Sequence, residues 1–125
     1  MKFATRLSLL MLLAVGVTAA TWSVRHFGLA KSLPEADSSV QSPEHLQLWF
    51  TQVPRDGSFT VRLVDGGGDL VQTEEAARNA EDPKLVEVEV GHTLDEGAYT
   101  VAWRGIGDDG HVVRGDFGFR VSAGN

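Results

Sequence analysis

The sequence predicts an all-β domain built as a two-sheet antiparallel sandwich, and three observations carry that prediction. Apolar residues recur with period two in five short runs, the spacing that puts alternate side chains of a strand on one buried face. Breakers rich in glycine, proline and aspartate separate those runs. The one stretch rich in glutamate and alanine, Thr73 to Glu81, lacks the apolar stripe with which a helix would dock.

The chain opens with Lys2 and Arg6 around the start of an apolar run from Leu7 to Val17. Val17-Thr18-Ala19-Ala20 then supplies small residues for cleavage after Ala19 or Ala20. This is the pattern of a secretory signal, and the run falls short of the roughly 20 apolar residues that span a bilayer. Residues 1–20 are therefore expected to be a signal peptide. Residues 21–125 are expected to be one domain, long enough for a single core.

Within that domain, Leu46, Leu48 and Phe50 alternate with His45, Gln47 and Trp49, and the turn Pro54-Arg55-Asp56-Gly57 follows. Phe59, Val61 and Leu63 alternate with Thr60 and Arg62 before Asp65-Gly66-Gly67-Gly68. Thr73 to Glu81 fits either one short helix or an ordered loop, and it reads as surface. After Asp82-Pro83, Val86, Val88 and Val90 alternate with Glu87 and Glu89 in the clearest strand signal of the chain. Beyond Glu96-Gly97, Tyr99, Val101 and Trp103 share one face, and Phe117, Phe119 and Val121 do so in the last strand. Tyr99 and Trp103 read as core aromatics. His45 sits on the polar face of its strand and His92 in the turn Gly91-His92-Thr93, so both read as surface residues without a partner at ligand spacing.

Charge and composition exclude several classes. The formal net charge is −6, and loss of Lys2 and Arg6 with the signal would take it to −8, because no acidic residue lies in the first twenty. No basic cluster is evident in the sequence, so nucleic acid is not an expected partner. The chain has no cysteine, so the domain must be held by its core rather than by disulfides. Both methionines, Met1 and Met11, fall inside the expected signal, so the mature protein has no thiolate or thioether for Cu(I).

The tripeptide Asp109-Gly110-His111 is the candidate for chemistry. In an extended segment, residues i and i+2 lie about 6.6 Å apart on one face, so a carboxylate and an imidazole there can lean toward one ion. An O,N donor pair suits Cu(II), Zn or Ni. Asp-Gly is also a common turn pair, so the residues alone leave a metal-ligand pair and a solvated loop both open. Arg104 and Arg114 flank the motif and are candidates for surface pairing with Asp108 or Asp116.

The chain resembles the CopC family of periplasmic copper-binding proteins over nearly the whole expected mature length. His26-Phe27-Gly28-Leu29-Ala30-Lys31-Ser32-Leu33-Pro34 is similar to the opening pattern of the family, and Leu46-Gln47-Leu48-Trp49-Phe50 to a strand that ends near a Phe. Leu94-Asp95-Glu96-Gly97-Ala98-Tyr99-Thr100-Val101-Ala102-Trp103 resembles a run leading into Asp109-Gly110-His111 and then a Phe-x-Phe-x-Val ending. The resemblance implies an immunoglobulin-like or cupredoxin-like Greek-key sandwich. It implies Cu(II) as the bound ion, with His26, Asp109 and His111 as ligands, and a periplasmic monomer without catalytic activity. The implied partner is an inner-membrane copper transporter of the CopD type.

Two departures qualify that inheritance. Relatives present this histidine at the mature N-terminus, so its α-amine also binds; here Trp22-Ser23-Val24-Arg25 precede His26, and cleavage after Ala19 or Ala20 would leave it no free amine. The methionine-rich Cu(I) segment is missing, so one metal site is expected. Copper oxygenases that attack polysaccharides need that free amine and an aromatic face, and no Ser-His or Cys-His arrangement with a glycine-rich elbow is visible. The alternative is an envelope interaction module that keeps the fold and has lost tight metal binding.

Overall fold

Alternation along each strand decides which face is buried, and the two buried faces meet in one core. The computed structural model describes residues 26–123; the expected signal segment, residues 1–20, lies outside them. Nine strands follow in chain order: β1 (Leu29–Leu33), β2 (Ser39–Val40), β3 (His45–Phe50), β4 (Thr60–Asp65), β5 (Leu70–Val71), β6 (Ala77–Arg78), β7 (Leu85–Glu89), β8 (Gly97–Ile106) and β9 (Val112–Val121). They form a four-stranded sheet in the order β1-β3-β7-β6 and a five-stranded sheet in the order β2-β9-β8-β4-β5.

The five expected runs form β3, β4, β7, β8 and β9, with their apolar positions inward. Leu46, Leu48, Leu63, Val86, Val88 and Val101 are all at most 1% exposed, and each such side chain contributes about 1.5–3 kcal/mol by leaving water. Tyr99 is buried, and its hydroxyl donates to the backbone oxygen of Asp95 at 2.7 Å. That bond ties the start of β8 to the preceding turn, as a tyrosine does at the corner of immunoglobulin-like sandwiches.

Several expectations need correction. Thr73 to Glu81 is not a helix but the ordered, unburied loop that was its other expected form, with one regular part. It contains β6, an edge strand in which Ala77 pairs with Glu87 and Arg78 with Val86, so hydrogen bonding to β7 overrides its helix-favouring composition. β1, β2 and β5 were not signalled by periodicity, because β2 and β5 are two residues each and β1 buries only Ser32. β2 runs parallel to β9, so the larger sheet is mixed rather than wholly antiparallel. The last strand begins at Val112, five residues before its apolar run.

The β8–β9 hairpin positions the tip that matters below. Its ladder runs unbroken through ten pairs, from Gly97 opposite Val121 to Ile106 opposite Val112. Gly115 faces Trp103 across the ladder, and the indole lies so close over it that no Cβ fits. At the same end, Phe27 stacks on Phe50 with ring centres 5.0 Å apart, and Trp103 meets Phe50 edge-on at 5.3 Å.

Candidate metal site at the β8–β9 tip

Residues 107–111 turn the chain between β8 and β9. The Gly110 N–H donates to Gly107 O at 3.1 Å, and Gly110 adopts φ +78°, in the left-handed region that glycine enters without strain. Asp109 and His111 therefore approach each other by a turn. This corrects the extended geometry expected from their i, i+2 spacing: the left-handed glycine folds the tripeptide back on itself. One carboxylate oxygen of Asp109, Oδ1, accepts the His111 backbone N–H at 3.1 Å, and the other, Oδ2, stands 3.4 Å from His111 Nδ1.

That separation has chemical meaning. Two donors each about 2.0–2.1 Å from a common ion stand about 2.9 Å apart at a right angle and about 3.4 Å at a tetrahedral one. Oδ2 and Nδ1 are thus spaced as two ligands of one transition metal, with Oδ1 already committed to fixing the carboxylate. Both side chains face solvent, His111 at 83% and Asp109 at 43% exposure, so the pair is open to an incoming ion. A contact between groups so exposed contributes little to stability by itself.

His26 reaches the same end of the sandwich through its backbone. Its carbonyl accepts from Thr51 Oγ1 at 2.9 Å, and the next residue, Phe27, is 3% exposed and lies flush against Gly105 and Gly107. A Cβ on Gly107 would stand 2.7 Å from that of Phe27 and 2.6 Å from Gln52 Oε1. Gln52 Oε1 also accepts the Asp108 N–H at 3.1 Å, which pins the turn to the strand end beside His26. The His26 side chain is exposed. Among the described residues, no three His, Cys, Asp or Glu side chains are gathered closely enough to hold a metal ion. Asp109 and His111 are brought together, and His26 is set at the same pole without closing a three-ligand group.

Arg55 belongs to this pole and went unremarked in the sequence beyond its place in a turn. Its N–H donates to Ile106 O at 2.8 Å, and its guanidinium lies beside Gly110, where an added Cβ would meet Nη2 at 3.6 Å. Its positive charge beside this turn works against a bound cation, a cost that an anion among the co-ligands would offset. Only the fold brings residue 55 to residue 110, and no local signal foretells it. Asp108 is exposed, and its backbone N–H bonds to Gln52 Oε1. Arg104 and Arg114 stand opposite each other across β8 and β9, and neither forms an ion pair among the described residues.

The remaining histidines lie at the other pole. His45 starts β3, opposite Glu89, and lines a concavity with Glu44, Glu89 and His92. His92 Nε2 is 2.8 Å from the Gln72 carbonyl, which engages that nitrogen.

The comparisons agree with this architecture. A family model described as the CopC domain matches residues 29–122, beginning three residues after His26. The protein YobA of Escherichia coli K12 is 29% identical over 106 residues, 84% of each chain. An Escherichia coli protein named copper resistance protein C is 32% identical over 105 residues, 79% of this chain and 83% of its own. The crystal structure of CopC from Methylosinus trichosporium OB3b superposes with a TM-score of 0.71 at 28% identity, covering 78% of this chain and 94% of that one. With the sandwich, the β8–β9 tip and these matches in agreement, the chain belongs to the CopC domain family.

Proposed function

We propose that this protein is a copper-handling protein that takes up Cu(II) at the β8–β9 tip and sequesters it or hands it on in the periplasm. The observation that carries this reading is the Asp109–His111 pair, whose 3.4 Å donor spacing suits a shared ion. Membership of the CopC family supports it, as does the name of its relative, copper resistance protein C. An oxygen and an imidazole nitrogen favour Cu(II) over Cu(I). His26, held at the same pole by Phe27 and Thr51, is the proposed third ligand. The proposed partner is an inner-membrane copper transporter of the CopD type, and the protein acts as a non-catalytic monomeric carrier, exported by residues 1–20.

Asp109 contributes through its fixed carboxylate, and its backbone bond to His111 holds the two donors in register before an ion arrives. Copper completes its coordination with water or an anion, because the tip presents few protein donors. Solvent exposure of His111 makes exchange with a partner direct.

The test is a Cu(II) titration of the purified exported form, with its intact mass recorded, followed by electron paramagnetic resonance of the complex. One tight equivalent with nitrogen couplings is expected, and His111→Ala should abolish it. Equal binding by His111→Ala would mean the site is elsewhere. A second reading is favoured by the absence of a closed three-ligand group among the described residues: an envelope interaction module that no longer binds metal tightly. Binding no stronger than that of a metal-free immunoglobulin-like control would select it.

A further inference from the structure

The outer face of the β4-β8-β9 sheet has a charge distribution unlike the rest of the molecule. The cross-strand register orders it in rows: Thr60-Arg104-Arg114, then Arg62-Ala102-Asp116, then Val64-Thr100-Gly118, with Ala98-Arg120 last. The inner partners of these residues, Val101, Trp103, Phe117 and Phe119, are buried, so the rows point outward. Four of the eight Lys and Arg among the described residues lie in these rows, against one of the seventeen Asp and Glu, Asp116, while Glu74 and Glu75 line a concavity with Thr60 and Arg62 at the β4 edge. In a chain of net charge −6 this is a segregated basic surface.

The arrangement is also not one that stability alone would produce. Arg104 and Arg114 are directly opposite on adjacent strands, with Arg62 on the diagonal across Ala102. Like charges in direct cross-strand register are unfavourable. None of the three forms an ion pair among the described residues, Asp116 included.

We infer that the outer face of β4, β8 and β9 is a docking surface for an acidic polypeptide segment of a partner protein, gripped by Arg62, Arg104 and Arg114. All four cations are arginines, whose planar forks bind carboxylates bidentately, whereas a diffuse attraction has no need of that geometry. The floor between them is made of small residues, Ala98, Thr100, Ala102 and Gly118, on which an extended segment lies flat. An anionic bilayer is the poorer occupant, because the other sixteen carboxylates lie outside these rows and leave a net charge of −6 that opposes approach to a broad negative plane. The surface runs up to Ile106 and Val112, the pair that abuts the β8–β9 tip, so a docked partner sits next to Asp109 and His111. The inference stands on charge placement and does not depend on metal binding.

The test is an NMR titration of the metal-free full domain with a synthetic decapeptide of alternating glutamate and glycine. Inorganic phosphate and vesicles of anionic phospholipid serve as separate probes. Backbone shifts are expected on the outer rows of β4, β8 and β9, with affinity falling as salt rises. Arg104→Glu should weaken peptide binding about tenfold or more, while Lys84→Glu, the same charge change in a turn away from this face, should leave it within about twofold. Arg104→Glu replaces a like-charge pair by an opposite-charge pair, so its Tm should match or exceed that of the parent; Arg104→Gln serves if that variant fails to fold. The inference is overturned by equal weakening in Lys84→Glu, by phosphate acting at the same residues as strongly as the peptide, by vesicle binding without a peptide response, or by no response at all.

Discussion

Replacing Phe27 by alanine should cost the domain about 3 kcal/mol, and the structure sets that figure. Phe27 is 3% exposed, stacks on Phe50 at 5.0 Å and 17°, and meets Trp103 at 6.3 Å and 71°. Its ring is flush with Gly105, where an added Cβ would stand 2.7 Å away. Truncating a buried phenylalanine costs about 3–5 kcal/mol, of which stacked and edge-on partners account for about 0.5–1.5 kcal/mol per pair. Phe27 precedes β1 and is held mainly through Thr51, which accepts from Gly28 N–H at 3.0 Å and donates its own N–H to Gly28 O at 2.8 Å. A segment tethered so lightly relaxes into the cavity, which places the cost at the low end. A loss of 3 kcal/mol lowers the Tm of a domain of this size by roughly 12–24 °C. Urea unfolding followed by tryptophan fluorescence measures it, with the slope m unchanged if the denatured state is unaffected. Because Phe27 holds His26 at the tip, Cu(II) affinity should fall in Phe27→Ala as far as in His26→Ala. A stability change under about 1 kcal/mol, well below the range for buried aromatics, would refute the seating of Phe27 between the sheets.

Two further outcomes follow from the geometry. Gly110→Ala should destabilise by about 1 kcal/mol through backbone strain at φ +78°, since its nearest new neighbour, Arg55, is at an ordinary contact distance of 3.6 Å; it should weaken Cu(II) binding by separating Asp109 from His111, and Gly110→Asn, which tolerates that φ, should bind more like the parent in the same titration. Burial, reinforced by Asp95 and Asp65, raises the ionisation of the Tyr99 phenol above its ordinary value; the unfolded chain therefore loses this proton first, near pH 10, and stability should fall as pH rises beyond that point and hold below it, a decline that denaturation at pH 8 to 11 should find reduced in Tyr99→Phe.

The sandwich was legible where a strand carried its own evidence. Leu46, Leu48 and Phe50, or Val86, Val88 and Val90, announce a buried face because side-chain direction repeats every two residues and each strand is long enough to display it. The Asp109-Gly110-His111 tripeptide was legible as a candidate donor pair, while the left-handed glycine that joins its two ends was supplied by the fold. The extended reading of that tripeptide failed because i, i+2 spacing says nothing about which backbone conformation joins the two residues.

The five strands with apolar alternation, the breakers between them and the absence of cysteine were thus determined by the sequence alone, because each is read from residues near one another in the chain. Tertiary structure decided the rest. β1 exists because residues 29–33 find β3, from Leu33 opposite Gln47 to Leu29 opposite Phe50, and β6 exists because Ala77 and Arg78 find β7. Only folding brings Phe27 against Gly105 and Gly107, sets Arg55 beside Gly110, and gathers Arg62, Arg104 and Arg114 on one face. These juxtapositions depend on register and sheet order, which are fixed by the joint burial of all the inward faces, so no local pattern contains them.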